Sequence, residues 1–448
     1  MEPAARRHRK PHRPAYHPRS HARRQRGSGL LGLREASAMA IGGMIGGGIF
    51  SVLGVTIDLA GHMAFAAFLI GGLIAALTAH ALARLAVHAD RPGGPFTYLR
   101  EEGHGKAAAW VAWLLIVGYV FALAVYAFTF GHYLAHVLGA TELVARVSSI
   151  GILLLFVIVN LRGVTTSGLT EDIVVVAKLA VLATFTVIGI LMFSTDRLSP
   201  LDNDGLIGVF LGASVIFVAY EGFELVPYDY DDISEPRRTV PLALYISVGV
   251  VTLVYVAVTL ASQMLLSDGA IIAEKEVAFA LVGKAALGTA GLWAATLGAV
   301  LSTSSAINAT LFSTARLVRD VSAADELPAR LAREREGLPR SAVIWLALLG
   351  AAFSMLPGIT SIVSFGSLTF LVVFGLINLM HARHTAKPGW DRTVAYLAGA
   401  ACFAASTGLI YYLARYDRAG LALIAVCALS VMIARTVFLR SKQATVRE

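Results

Sequence analysis

Cysteine is nearly absent from this 448-residue chain: Cys402 and Cys427 are the two, and both sit in apolar stretches. That excludes a disulfide framework and a cysteine-built metal cluster as organising principles. Charge is scarce as well. Asp, Glu, Lys and Arg make up 15% of the chain, where an ordinary soluble domain has about a quarter. Hydrophobic residues make up 57%, and the mean hydropathy is +0.71. Catalytic signatures are lacking too, with no HExxH, Walker A or GxSxG pattern. The glycine cluster at 42–48 has no strand before it, which a dinucleotide fingerprint requires. The composition therefore predicts an all-α integral membrane protein that is not an enzyme and holds no cofactor or metal.

What charge there is collects at one end. Residues 1–30 carry nine basic residues, Arg6 to Arg26, against Glu2 alone, which leaves 28 basic and 28 acidic residues elsewhere. The arm lacks the apolar core of a signal peptide. Its composition predicts a disordered tail that touches anionic lipid rather than nucleic acid. Its His8, His12, His17 and His21 have no fixed geometry with which to hold a metal.

A bilayer span needs about 20 apolar residues. By that measure twelve segments are expected, near 36–58, 62–88, 107–139, 147–163, 170–194, 206–233, 239–266, 287–318, 341–357, 360–381, 393–413 and 418–438. Lys and Arg concentrate in the loops at Arg91–Lys106, Arg237–Arg238, Arg316–Arg340 and Arg383–Arg392 and in both tails. Twelve spans put all of these on one side, so both termini are expected in the cytoplasm of a cell-membrane protein.

Two segments look interrupted. The first, MAIGGMIGGGIFSVLG from Met39, has glycine at 42, 43, 46, 47, 48 and 54. Each glycine costs a helix about 0.5–1 kcal/mol relative to alanine. Either the helix breaks there and its freed backbone serves a ligand, or the small residues admit a neighbouring helix, as Gly42/Gly46 and Gly43/Gly47 spacing allows. The sixth segment reads VAYEGFELVPYDYDD from Val218, with Gly222 and Pro227 as breakers and Glu221 and Glu224 as costly intramembrane carboxylates. Each interrupted segment is the first of a set of five. Broken helices at matching places in two halves predict an inverted-repeat transporter with its site near the midplane.

Three blocks carry a family likeness: EASAMAIGGMIGGGIFSVLG from Glu35, VAYEGFELVPYDYDDISEPRRTVPLAL from Val218, and LGAVLSTSSAINATLFSTARL from Leu297. With PGGPFTYL from Pro92 they cover most of the first ten segments in order. The chain resembles the amino acid–polyamine–organocation superfamily of secondary transporters. The likeness implies a leucine-transporter-type fold. Residues 1–33 would be the basic tail, 34–194 the first five-helix repeat, 195–384 its inverted copy, 385–440 two peripheral helices and 441–448 the second tail. The PYDYDD string departs from the family pattern and leaves cationic amines open as substrates.

The closer likeness is to proton-coupled amino acid transporters whose fifth-helix lysine stands in for sodium. Lys178 matches that position, with Ser304 and Ser305 as expected oxygen partners. Snorkelling of Lys178 to the headgroups is the competing reading. By the same likeness, a substrate carboxylate would dock on backbone around Ile41, Gly42, Met44, Gly46, Gly47 and Gly48. Its amino group would meet the sixth segment at Phe217, Tyr220, Glu221, Gly222 and Glu224. Tyr119, Phe121 and Tyr126 are candidate walls, and Glu221 and Glu224 are read first as structural. His132 and His136 share a helix face but have no third metal ligand nearby in sequence. Asn160, Asn308 and Asn378 are read as interhelical hydrogen bonders. The expected function is an amino acid permease working by alternating access, with the proton as coupling ion. A polyamine or amine antiporter and a transporter-like nutrient receptor are the alternatives.

Overall fold

A computed structural model describes residues 30–162, 168–198, 205–335, 338–385 and 389–445. The basic arm falls outside the described residues. The twelve expected segments all fold as helix. They are α1 (Leu33–Ala60), α2 (Ala64–Ala89), α4 (Gly105–Val137), α5 (Glu142–Leu161), α6 (Gly168–Leu191), a bent segment that begins with α7 (Gly205–Val215), α8 (Pro236–Leu265), α10 (Ala278–Ala323), α11 (Arg340–Phe353), α12 (Ile359–His384), α13 (Trp390–Tyr416) and α14 (Arg418–Thr445). Two short helices lie in loops: α3 (Pro95–Glu101) and α9 (Asp268–Ala273). The ninth segment is shorter than expected. Its 14 residues span about 21 Å, less than a bilayer core of about 30 Å. α10 carries an extra outer stretch of nearly three turns, set off by Gly288 at φ 60°, so the eighth span starts where the sequence placed it.

The sixth segment is broken as expected. α7 ends at Val215, and the chain continues as 3-10 turns through Phe217–Tyr220 and Phe223–Asp232, bent by 54°. Between them Glu221 is extended, and Gly222 has φ 121°, a conformation that favours glycine.

The first segment corrects the expectation. α1 runs as one helix from Leu33 to Ala60 through the whole glycine stretch, so Gly42–Gly48 is not unwound. Close packing is what the glycines provide. A Cβ on Gly47 would overlap the Tyr126 ring of α4, and one on Gly48 the Tyr255 hydroxyl of α8. One on Gly46 would come 2.7 Å from the Ala306 Cβ of α10, while Gly43 lies against the backbone of Gly222. α1 is thereby the buried axis of the bundle, with α4, α8, α10 and the bent segment packed on it.

Gly47→Val forces a side chain into the Tyr126 ring. Overpacking of this kind costs about 1–3 kcal/mol. The purified variant should melt at a lower temperature, whereas Gly269→Ala, where an added Cβ meets nothing within 4 Å, should melt like the parent.

Candidate functional site

A broken helix in lipid must find new partners for its backbone. Here side chains from two other helices and the segment itself supply them. Ser367 of α12 bridges the break: its hydroxyl donates to the Val215 carbonyl at 2.5 Å and accepts the Val218 N–H at 2.8 Å. The Tyr255 hydroxyl of α8 lies 2.9 Å from the Ala219 carbonyl. The Gly222 N–H donates to Glu224 Oε2 at 2.9 Å. Glu224 also accepts the Tyr119 hydroxyl of α4 at 3.1 Å on its other oxygen.

Glu221 stands differently. Its Oε2 accepts the Tyr126 hydroxyl at 2.5 Å, but its buried Oε1 has no hydrogen-bond partner. The two carboxylates, both read first as structural, thus divide. Glu224 caps the break, and Glu221 leaves one acceptor open beside Tyr126 and the glycine face of α1.

α1 is unbroken, yet three carbonyls of its glycine stretch are addressed by side chains from other helices. Lys178 Nζ of α6 donates to the Gly42 carbonyl at 2.6 Å, and Ser302 Oγ of α10 to Ile45 at 3.0 Å. The Tyr255 hydroxyl, shared with Ala219, lies 2.7 Å from the Met44 carbonyl. One hydroxyl therefore ties α1 to the bend. Lys178 is fully buried and does not snorkel. Ser302, rather than Ser304 or Ser305, meets α1; those two are half-buried one turn away and make no hydroxyl bond to it.

The other expected site residues divide as well. Ile41 is half-buried, and Met44 lies in the core. Phe217 packs edge-on against Phe374. Tyr220 turns away from the junction and donates to the Phe68 carbonyl of α2 at 2.6 Å. Phe121 packs on Phe353 and Phe365, as a core aromatic does. Asn160 bonds Asn308 at 3.0 Å, and Asn378 bonds Thr78 at 3.0 Å, both between helices. Tyr255, Ser302 and Ser367 were not singled out in the sequence. The one signal for them was a hydroxyl inside an apolar run.

The acidic PYDYDD string is held at the basic side rather than facing a pocket. The Gly93 N–H donates to the Pro227 carbonyl, Tyr228 packs on Gly94, and Asp229 sits 4.0 Å from Arg316. The Tyr230 hydroxyl and Arg237 both bond Asp90, and together they hold its carboxyl down at about 2. A lowered carboxyl pKa stabilises above its unfolded value, so this clasp persists through neutral pH and is lost only as pH falls toward about 2. Among the described residues no group of three or more His, Cys, Asp or Glu is placed to hold a metal ion.

Tyr255→Phe strands the Ala219 carbonyl and removes the tie to Met44. A buried acceptor left without its donor costs about 1–3 kcal/mol. The variant should lose thermal stability in detergent, and so should Ser367→Ala, while Thr407→Ala, on the exposed face of α13, should not.

Residues 31–442 match the model of the amino acid permease family. The inner membrane transport protein YbaT of Escherichia coli is 28% identical, across 81% of this chain and 86% of that protein. The methylthioribose transporter of Bacillus subtilis is 27% identical, across 77% of each. Among solved structures, a manganese transporter from Eremococcus coleocola superposes with a TM-score of 0.60 at 12% identity, over 93% of this chain and 95% of that one. At that identity the likeness bears on the fold alone, which is of the leucine-transporter type. With its helices long and apolar enough to cross a membrane, the protein is a multi-pass membrane permease for small molecules. The chain belongs to the amino acid permease family of the amino acid–polyamine–organocation superfamily.

Proposed function

We propose that the protein moves amino acids across the cell membrane by alternating access, coupled to protons, with both termini in the cytoplasm. One observation carries the reading: the bend at Glu221–Gly222 packs directly on the α1 backbone, and Tyr255 holds carbonyls of both. A substrate that wedges between Gly43 and Gly222 meets carbonyls of Met44 and Ala219 and the open oxygen of Glu221, all acceptors suited to an ammonium group. Its carboxylate would compete for the hydroxyl donors of Tyr126 and Ser302. Parting of the bent segment from α1 is then the alternating motion. The basic loops give the orientation.

Lys178 is the proposed coupling residue. Its ammonium sits on an α1 carbonyl, deep in the bundle. Motion of α1 relative to α6 would break that contact and release the proton.

A second reading rests on Glu221 Oε1, a buried acceptor with no partner. It favours cationic amines, exchanged across the membrane by the same motion.

Uptake into proteoliposomes decides between them. An inward proton gradient should drive amino acid uptake and sodium should have no effect. Lys178→Ala should abolish gradient-driven uptake, and Lys178→Arg, which keeps a charge that cannot be released, should bind without coupled uptake. Sodium-driven uptake, or full coupling in Lys178→Ala, contradicts the proton assignment. Diamine counterflow lost in Glu221→Gln would establish the amine reading instead.

A further inference from the structure

At the end of the bundle opposite the basic loops, a strap crosses the mouth of the helix bundle. It consists of α9 and the 3-10 turn Lys275–Val277, and it leads into α10. The strap lies directly on α1: a Cβ on Gly54 would run into the Lys275 backbone, and Lys275 Nζ bonds Asp58 at 2.7 Å. Beside it, Tyr133 of α4 donates to the Phe50 carbonyl of α1 at 2.9 Å and accepts the Phe279 N–H at 3.3 Å. The strap is therefore the lid over this end of α1.

His132, next to Tyr133, is wedged between that strap and α5. Its ring stacks on Phe128 with centroids 3.7 Å apart, and it is 8% exposed. Nδ1 lies 2.8 Å from the Phe128 carbonyl. A carbonyl can only accept, so Nδ1 carries the hydrogen. In the neutral ring Nε2 is then a bare lone pair. It points between two carboxylates, Glu142 Oε2 of α5 at 3.3 Å and Glu276 Oε2 of the strap at 3.6 Å, and it has no hydrogen-bond partner. Three acceptors facing one another hold nothing together. One added proton turns the arrangement into a cation between two anions.

We propose that His132 is a proton-operated latch: protonated at Nε2, it bonds Glu276 and Glu142 and fastens the strap to α4 and α5, and deprotonated, it releases the strap. The strap meets a second histidine as well, His62 lying 3.4 Å from Asp268 of α9. From α5, Glu142 faces His132, with Arg146 behind that carboxylate at 2.8 Å. From the strap, Glu276 faces it, while Lys275 is turned away to Asp58. On α4 itself, His136 lies one turn further on. From α1, Asp58 is occupied by the lysine, and from α10 the backbone N–H of Phe279 goes to Tyr133. Histidine is the side chain whose ordinary titration falls between about pH 5 and 8, so this end of the permease would sense the acidity of the compartment it faces. The latch does not depend on which solute is carried.

Spin labels at Ala140, on the exposed turn after α4, and at Gly269, an unobstructed position on α9, report the strap directly. The full chain is used in lipid nanodiscs, with Cys427 replaced and the fully buried Cys402 left in place. Electron–electron distance measurements should give one short, narrow distribution at about pH 5.5 and a longer, broader one at about pH 8. Both His132→Gln and Glu276→Gln should lose that pH response. Glu276→Gln keeps the His132 ring and its Phe128 bond, so it tests the latch even if His132→Gln fails to fold. A distribution that does not change with pH, or one that changes equally in Glu276→Gln, overturns the proposal.

Discussion

Lipid offers no hydrogen bonds, so a backbone broken inside a bilayer survives only where protein supplies every donor and acceptor that the helix gave up. The break between Val215 and Gly222 meets that condition group by group. Ser367 serves both the Val215 carbonyl and the Val218 N–H, Tyr255 reaches Ala219, and Glu224 takes the Gly222 N–H. These partners come from α12, α8 and the segment itself, so the bend is stable only in the assembled bundle. The geometry at Gly222, with φ 121° and its backbone pressed on Gly43 and Met44, follows from the same closure.

The glycines of α1 are the other half of this junction. Four positions without side chains, Gly43, Gly46, Gly47 and Gly48, let Gly222, Ala306, Tyr126 and Tyr255 close to backbone distance. At about 0.5–1 kcal/mol per glycine the glycine run weakens an isolated helix, but the bundle holds it from all sides. The approach it permits brings donors to the Gly42, Met44 and Ile45 carbonyls, including the ammonium of Lys178. Stability and the proposed transport chemistry thus rest on the same contact surface. A permease that moves by parting α1 from the bent segment must break and remake these bonds in each cycle. That suits hydroxyl and ammonium groups, which find water or substrate as substitutes when they part.

The twelve segments were legible because a bilayer imposes one length and one polarity on each span. The sixth break was legible because Gly222, Pro227 and two carboxylates fall within a few residues. The first helix was misread because a glycine run has two physical solutions, unwinding or close packing, and which one holds depends on neighbours that lie hundreds of residues away, such as Tyr255 and Ala306. The serine of α10 that meets α1 was not singled out for a related reason. Ser302, Ser304 and Ser305 are close in sequence, and the small rotation that brings one of them to α1 is set by how Ala306 seats on Gly46. Ser367 and Tyr255 gave no local sign of their partners. The acidic string after the bend left the substrate class open, and in the structure Tyr228, Tyr230 and Asp229 fasten the bent segment to the loop at 90–94 and to α10. His132 gathered its carboxylates from α5 and from the strap, which sequence separation concealed.

In the proposed mechanism the substrate is held at the contact between Gly222 and the α1 backbone at Gly43–Met44. Equilibrium binding of radiolabelled amino acids to the purified protein and to Gly222→Ala tests it most directly, since an added Cβ would lie 2.9 Å from α1 backbone atoms in a φ region that disfavours side chains. The account predicts that a ligand that binds the parent is bound at least about tenfold more weakly by the variant, a loss of about 1.4 kcal/mol, while the variant remains a folded monodisperse protein. Undiminished binding by folded Gly222→Ala would contradict it.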